Sequence, residues 1–162
     1  MRLLLVRHGI AAPLTAKITR DEQRPLTAQG LRRLRQVATG LVRVAPRPRA
    51  ILTSPLLRAR QTAELLARAW NELHPAIVPA LTMGNQAGLR LALAGYEDKD
   101  TVVLVGHEGW MSELTARLLG SKAAASFRYR KGGVALIELE GVELARGTLL
   151  WFIPPRVFRE LG

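Results

Sequence analysis

A chain of 162 residues with 48% hydrophobic side chains has the length of one domain and enough apolar mass for a core of its own. It contains no cysteine, which excludes disulfides, thiol catalysis and cysteine-ligated zinc. The formal net charge is +11, and it is nearly all arginine, because Lys17, Lys99, Lys122 and Lys131 are the only lysines; such a surplus draws phosphate groups.

Leu3–Val6 is an unbroken apolar run, the mark of a strand buried on both faces, and it stops at Arg7, His8 and Gly9. Arg7 leaves it too short for a secretion signal, and no later run has membrane-spanning length. The expectation is a soluble, cytoplasmic protein. Residues 10–25 form a long polar connection, and long loops in compact domains are often functional. Thr27 is placed to cap a helix reaching about Val42, with Leu31, Leu34, Val37, Ala38 and Leu41 on one face. Arg32, Arg33, Arg35 and Arg43 fall mostly off that face and read as solvated. Ala50–Thr53 is a second buried strand. Ser54 reads as a cap and Pro55 as the first residue of a helix reaching about Trp70, which buries Leu57, Ala63, Leu65, Leu66 and Ala69. Ala76–Val78 is a weaker strand, His74 before it a loop residue, and Gln86–Leu93 a short helix. Thr101–Val105 is another buried strand. Gly109 then opens a helix with Met111, Leu114, Leu118 and Leu119 apolar and Gly120 as its stop. Val134–Glu140 and Gly147–Ile153 suggest a hairpin-like pair around Glu140, Gly141 and Gly147. This alternation predicts one α/β domain over residues 1–162. It would be a three-layer sandwich, a mostly parallel central sheet with helices on both faces.

Three strand ends carry unusual residues. One holds Arg7 and His8, one leads into Arg58, and one leads into His107. In open α/β sheets ligands bind at the carboxyl ends of strands, so all of them arrive at one edge. Arginine forks match phosphoryl oxygens, and helix starts add backbone N–H groups. Neighbouring cations hold an imidazole neutral, and a neutral histidine can attack phosphorus. Gly9 lets the backbone pass close to a phosphate, and Gly106 and Gly109 around His107 suggest a tight anion-binding turn.

At these positions "LLLVRHGIA" resembles the signature of the histidine phosphatase superfamily, the phosphoglycerate mutase-like proteins. "TSPLLRARQTAE" and "VLVGHEGW" resemble its second and third motifs. "RPLTAQG" is similar to the stretch after the first loop in the small SixA-type branch, the phosphohistidine phosphatases. The resemblance implies that His8 is the phosphorylated nucleophile, that Arg7 and Arg58 hold phosphoryl oxygens, and that His107 donates to the phosphoryl group. Arg24 would line the mouth of the pocket. No metal or other cofactor is implied. Larger members carry an acidic general acid after the second motif, whereas "PALTMGNQAG", Pro79 to Gly88, has no carboxylate. SixA-type proteins lack that acid too, and the imidazole of a phosphohistidine leaves more readily than an alkoxide. Glu22 and Glu108 are the remaining candidates for a proton donor.

The implied partner is a phosphohistidine-bearing protein of a phosphorelay or signalling system. A general phosphomonoesterase acting on small phosphate esters would use the same pocket. A third reading is a non-catalytic basic domain for phosphate or nucleic acid. It rests on the charge and on Phe127–Gly133, where Tyr129 between Arg128 and Arg130 is a feeble stacking platform. No nucleic-acid motif is present, so no nucleic acid is expected, and no membrane partner. The chain is expected to be a monomer or weak dimer. His107 and Glu108 lack the second histidine of HExxH, and neither a G-x-S-x-G elbow nor a G-x-x-x-x-G-K-[ST] loop occurs.

Overall fold

A computed structural model describes residues 1–71, 73–140, 144 and 146–162. The strands are β1 (Arg2–Arg7), β2 (Ala50–Thr53), β3 (Ala76–Ile77), β4 (Thr101–Gly106), β5 (Val134–Leu139) and β6 (Gly147–Ile153). They form one sheet in the order β3-β2-β4-β1-β5-β6. β1 to β4 run parallel, while β5 and β6 are antiparallel additions. The helices are α1 (Ala28–Val44), α2 (Leu57–Ala69), α3 (Ala80–Met83), α4 (Gln86–Leu93), α5 (Trp110–Leu118) and α6 (Pro155–Leu161).

Alternation along the strands builds two cores. Leu4 and Val6 of β1 face α1, α2 and α6, where they meet Leu34, Val37, Leu41, Leu66 and Phe158. Leu3 and Leu5 face α3, α4 and α5, against Leu81, Leu89, Met111 and Leu114. All four β1 side chains are fully buried, and each contributes roughly 1.5–3 kcal/mol. The sheet is therefore mostly parallel with helices on both faces, as its sequence pattern implies.

The predicted strands and helices agree with the structure to within two residues, but the start of α2 is built differently from the expectation. Ser54 does not cap that helix and Pro55 is not its first residue. The helix starts at Leu57, its N-cap is Leu56 without a side-chain cap, and Leu57 and Ala69 are only half-buried. Thr27 does cap α1, accepting from Gly30 N at 2.9 Å. The connection over residues 10–25 is not structureless. An isolated bridge pairs Ala11 with Leu26, and Asp21–Gln23 forms a turn of 3-10 helix. Two short helices, α3 and α6, had no counterpart in the sequence reading. The expected turn at Glu140 and Gly141 falls partly on residues outside those described.

Candidate active site

β2, β4 and β1 are adjacent and parallel, so their carboxyl ends share one edge. His8 follows β1 and is 7% exposed. Its backbone N–H donates to Gly106 O at 3.0 Å, which fastens the end of β1 to the end of β4. His8 Nδ1–H donates to Gly9 O at 2.7 Å. The lone pair is thus on Nε2, and Arg58 Nε–H donates to that atom at 3.3 Å. Burial pushes the His8 imidazole down to about 3, and His107, Arg58 and Arg7 nearby add to the shift. A neutral imidazole with its lone pair on Nε2 has the form a nucleophile needs at neutral pH, once Arg58 Nε–H turns from that lone pair to an incoming anion.

The first turn of α2 delivers Arg58, 7% exposed, into the same place. Thr62, one turn later and fully buried, ties α2 to β1: its hydroxyl donates to Arg58 O at 2.7 Å and accepts from Gly9 N at 3.1 Å. His107 follows β4, and its ring centroid is 5.1 Å from that of His8. Burial and the Arg58 charge push His107 down to about 4. Its Nε2 lies 2.8 Å from Ser54 Oγ, which is 3.1 Å from Thr82 Oγ1 and accepts from Leu56 N at 3.3 Å. His107 Nδ1 and Arg7 Nε are buried without a hydrogen-bond partner among the described residues. Arg7 is held by the Tyr129 carbonyl and by Glu108, 3.2 Å away. Glu108 also accepts from Ser112 Oγ at 2.7 Å. Glu22 sits on the exposed loop, 3.9 Å from Arg20.

Arg7, His8, Arg58 and His107 therefore converge. Arg24 does not touch the histidines. Its Nε–H donates to Ala12 O at 2.6 Å, and its fork binds Asp21 at 2.8 Å. Asp21 is a residue that sequence reasoning missed. It accepts from Arg58 through its carboxylate and through its backbone carbonyl, both at 2.8 Å. Hydrogen bonds from Arg24 and Arg58 hold its carboxyl below the usual range, so it is an ionised acceptor and no proton donor. Ser54, Thr62 and Thr82 were also missed as site residues. The only hint of Ser54 was its place beside a strand end.

Tyr129 is 1% exposed, packs edge-on against Phe152 and shares a 2.7 Å hydrogen bond with Thr115. It offers no stacking surface, which removes one of the two grounds of the nucleic-acid reading and leaves the net charge of +11 as the other. Among the described residues no group of three or more His, Asp or Glu could hold a metal ion, and no helix is long and apolar enough to cross a membrane. Two imidazoles, the buried guanidinium of Arg58 and the half-buried one of Arg7 gather donors suited to a tetrahedral anion around the His8 imidazole.

A sequence profile of the histidine phosphatase superfamily (branch 1) matches residues 3–82. An uncharacterised protein of Picosynechococcus is 38% identical over 83% of this chain and 82% of its own length. Phosphohistidine phosphatase SixA of Escherichia coli is 29% identical over 96% of this chain and 94% of its own. Among solved structures, a protein histidine phosphatase SixA complexed with tungstate is similar, with a TM-score of 0.81 and 27% identity. The match covers 97% of this chain and 99% of that one.

Proposed function

The chain belongs to the SixA-type branch of the histidine phosphatase superfamily and is a histidine-nucleophile phosphatase, and from that premise we propose that it hydrolyses phosphohistidine in a signalling protein through a covalent phospho-His8. Thr82 carries this choice of substrate. It is the residue of the 79–88 segment that joins the His107 hydrogen bonds, through Ser54, and it brings a hydroxyl from a segment that has no carboxylate. A site without a strong acid suits a leaving group that needs little protonation.

In the first step His8 Nε2 forms a bond to phosphorus while the bond to the substrate's imidazole nitrogen breaks. The departing imidazole keeps the electron pair and takes a proton from water. Arg58 and Arg7 balance the charge on the equatorial oxygens. In this mechanism Ser54 is assigned as donor to His107 Nε2, which leaves the His107 proton on Nδ1, the nitrogen with no other partner among the described residues, for a phosphoryl oxygen. In the second step water attacks phosphorus, orthophosphate leaves and Nε2 regains its lone pair. Arg24 acts at the mouth of the pocket, through Asp21. We place the activity in the cytoplasm, where a cysteine-free chain is at home, as a single domain over residues 1–162 and a monomer or weak dimer.

The test is a substrate panel of a phosphohistidine protein beside sugar phosphates, glycerate phosphates and other small esters, with acid-labile phosphate trapped on the enzyme. Fast turnover of the phosphohistidine protein and a labelled His8 peptide are expected, with loss of both in His8→Ala. Turnover of a small ester alone would overturn the substrate, and undiminished activity of His8→Ala would overturn the mechanism.

A further inference from the structure

A groove of about 540 Å³ opens at the same sheet edge as the catalytic pocket, on its α1 and α6 side, and shares Arg7 and Gly9 with it. Five more cations line the groove: Arg33 of α1, Arg130 and Lys131 of the turn before β5, and Arg156 and Arg159 of α6. No carboxylate lines it. Arg156 is engaged by Glu160 at 2.8 Å. Among the described residues, Arg33, Arg130, Lys131 and Arg159 have no carboxylate within 4.0 Å. The floor is apolar, formed by Leu34, Val37, Pro154 and Pro155.

The distribution of charge identifies the occupant. A small dianion is bound by two or three donors converging on one point. Here the cations stand on three separate elements around an apolar strip, an arrangement that matches a chain with several carboxylates and a few apolar side chains. Complementary potential of this kind steers a partner and fixes its register. A protein that presents its phosphorylated side chain to His8 must lay neighbouring surface over this edge.

We propose that the groove is a docking site for an acidic, partly apolar segment of the phosphorylated partner protein, seated while that protein's phosphoryl group lies at His8. The proposal rests on the protein-substrate reading above. It gives Arg33, which the sequence pattern presents as merely solvated, a role in choosing the substrate.

The experiment compares wild type with R33E/R159E and, because Arg159 belongs to a helix packed on α1, with K131E on the exposed turn. Three readouts are taken: turnover of an acidic phosphohistidine-bearing phosphotransfer domain, turnover of p-nitrophenyl phosphate, and binding of fluorescein-labelled poly-L-glutamate. The variants should raise KM for the phosphoprotein by about tenfold. They should leave its kcat and the small-ester turnover within twofold, and weaken poly-L-glutamate binding to the same degree. Unchanged KM and unchanged poly-L-glutamate binding in both variants would overturn the proposal. So would a labelled oligonucleotide that binds more tightly than poly-L-glutamate and is lost in the same variants. If wild type ignores the phosphoprotein but cleaves a sugar phosphate, the substrate reading has failed; the poly-L-glutamate comparison still decides whether the groove takes acidic chains.

Discussion

At the scale of single residues, Asp21 sets the electrostatics of the pocket mouth. Its carboxylate takes one arm of Arg58 and one of Arg24, so an incoming phosphoryl group meets an arginine already paired with an anion. The phosphoryl group competes with Asp21 for that arm. Asp21→Asn should therefore tighten inhibition by orthophosphate about three- to tenfold, since a neutral amide repels the anion less and releases the guanidinium more readily. Inhibition constants measured at fixed ionic strength check this. A weaker inhibition constant would instead make Asp21 a strut that holds Arg58 in place. His8, Arg58 and His107 were legible in the sequence because each stands directly after a buried strand or at a helix start. Asp21 was not legible. It is one carboxylate in a polar loop, and of the two arginines it binds the one beside His8 is 37 residues away. Ser54 was seen but misjudged, because Ser-Pro is also the local signature of a helix start, and only the fold brings His107 within 2.8 Å of it.

At the scale of elements, glycines decide how closely helices approach. A Cβ placed on Gly40 of α1 would lie 2.0 Å from Phe158 O and 2.8 Å from Phe158 C, both backbone atoms of α6 that cannot rotate aside. Gly40→Ala should destabilise the protein by about 1–3 kcal/mol through this overpacking, even though alanine favours the helix. Gly95, with no atom within 4 Å of its Cβ position, is the control: Gly95→Ala should be neutral or slightly stabilising. Urea unfolding midpoints separate the two, and equal midpoints would mean that α6 shifts freely on α1. The elements legible in the sequence were those with long apolar periodicity, β1, β4 and α1 above all. Two were not. Four-residue α3 is too short to show a period, and α6 depends on burying Phe158 against α1 and the sheet.

At the scale of the whole molecule, the buried imidazoles couple folding to pH. Burial pushes the His8 and His107 imidazoles down to about 3 and about 4 in the folded protein, whereas an unfolded histidine has a pKa of about 6.5. Below pH 6.5 the unfolded chain therefore binds more protons than the native one. Stability falls as pH falls, by about 1.4 kcal/mol per pH unit for each histidine, until the folded groups themselves protonate. Denaturant unfolding at pH 7 and pH 5 should show a wild-type loss that shrinks in His8→Gln/His107→Gln. An identical loss in the variant would place the acid sensitivity elsewhere. The sheet order has a consequence for synthesis as well. β1, which leads straight to the nucleophile, pairs with β4 and β5: Arg2 lies opposite both Thr101 and Glu138. While the ribosome is still making the middle of the chain, the nascent strand has neither neighbour. The site therefore cannot close until most of the polypeptide has emerged from the exit tunnel, and no early fragment of translation is a working phosphatase.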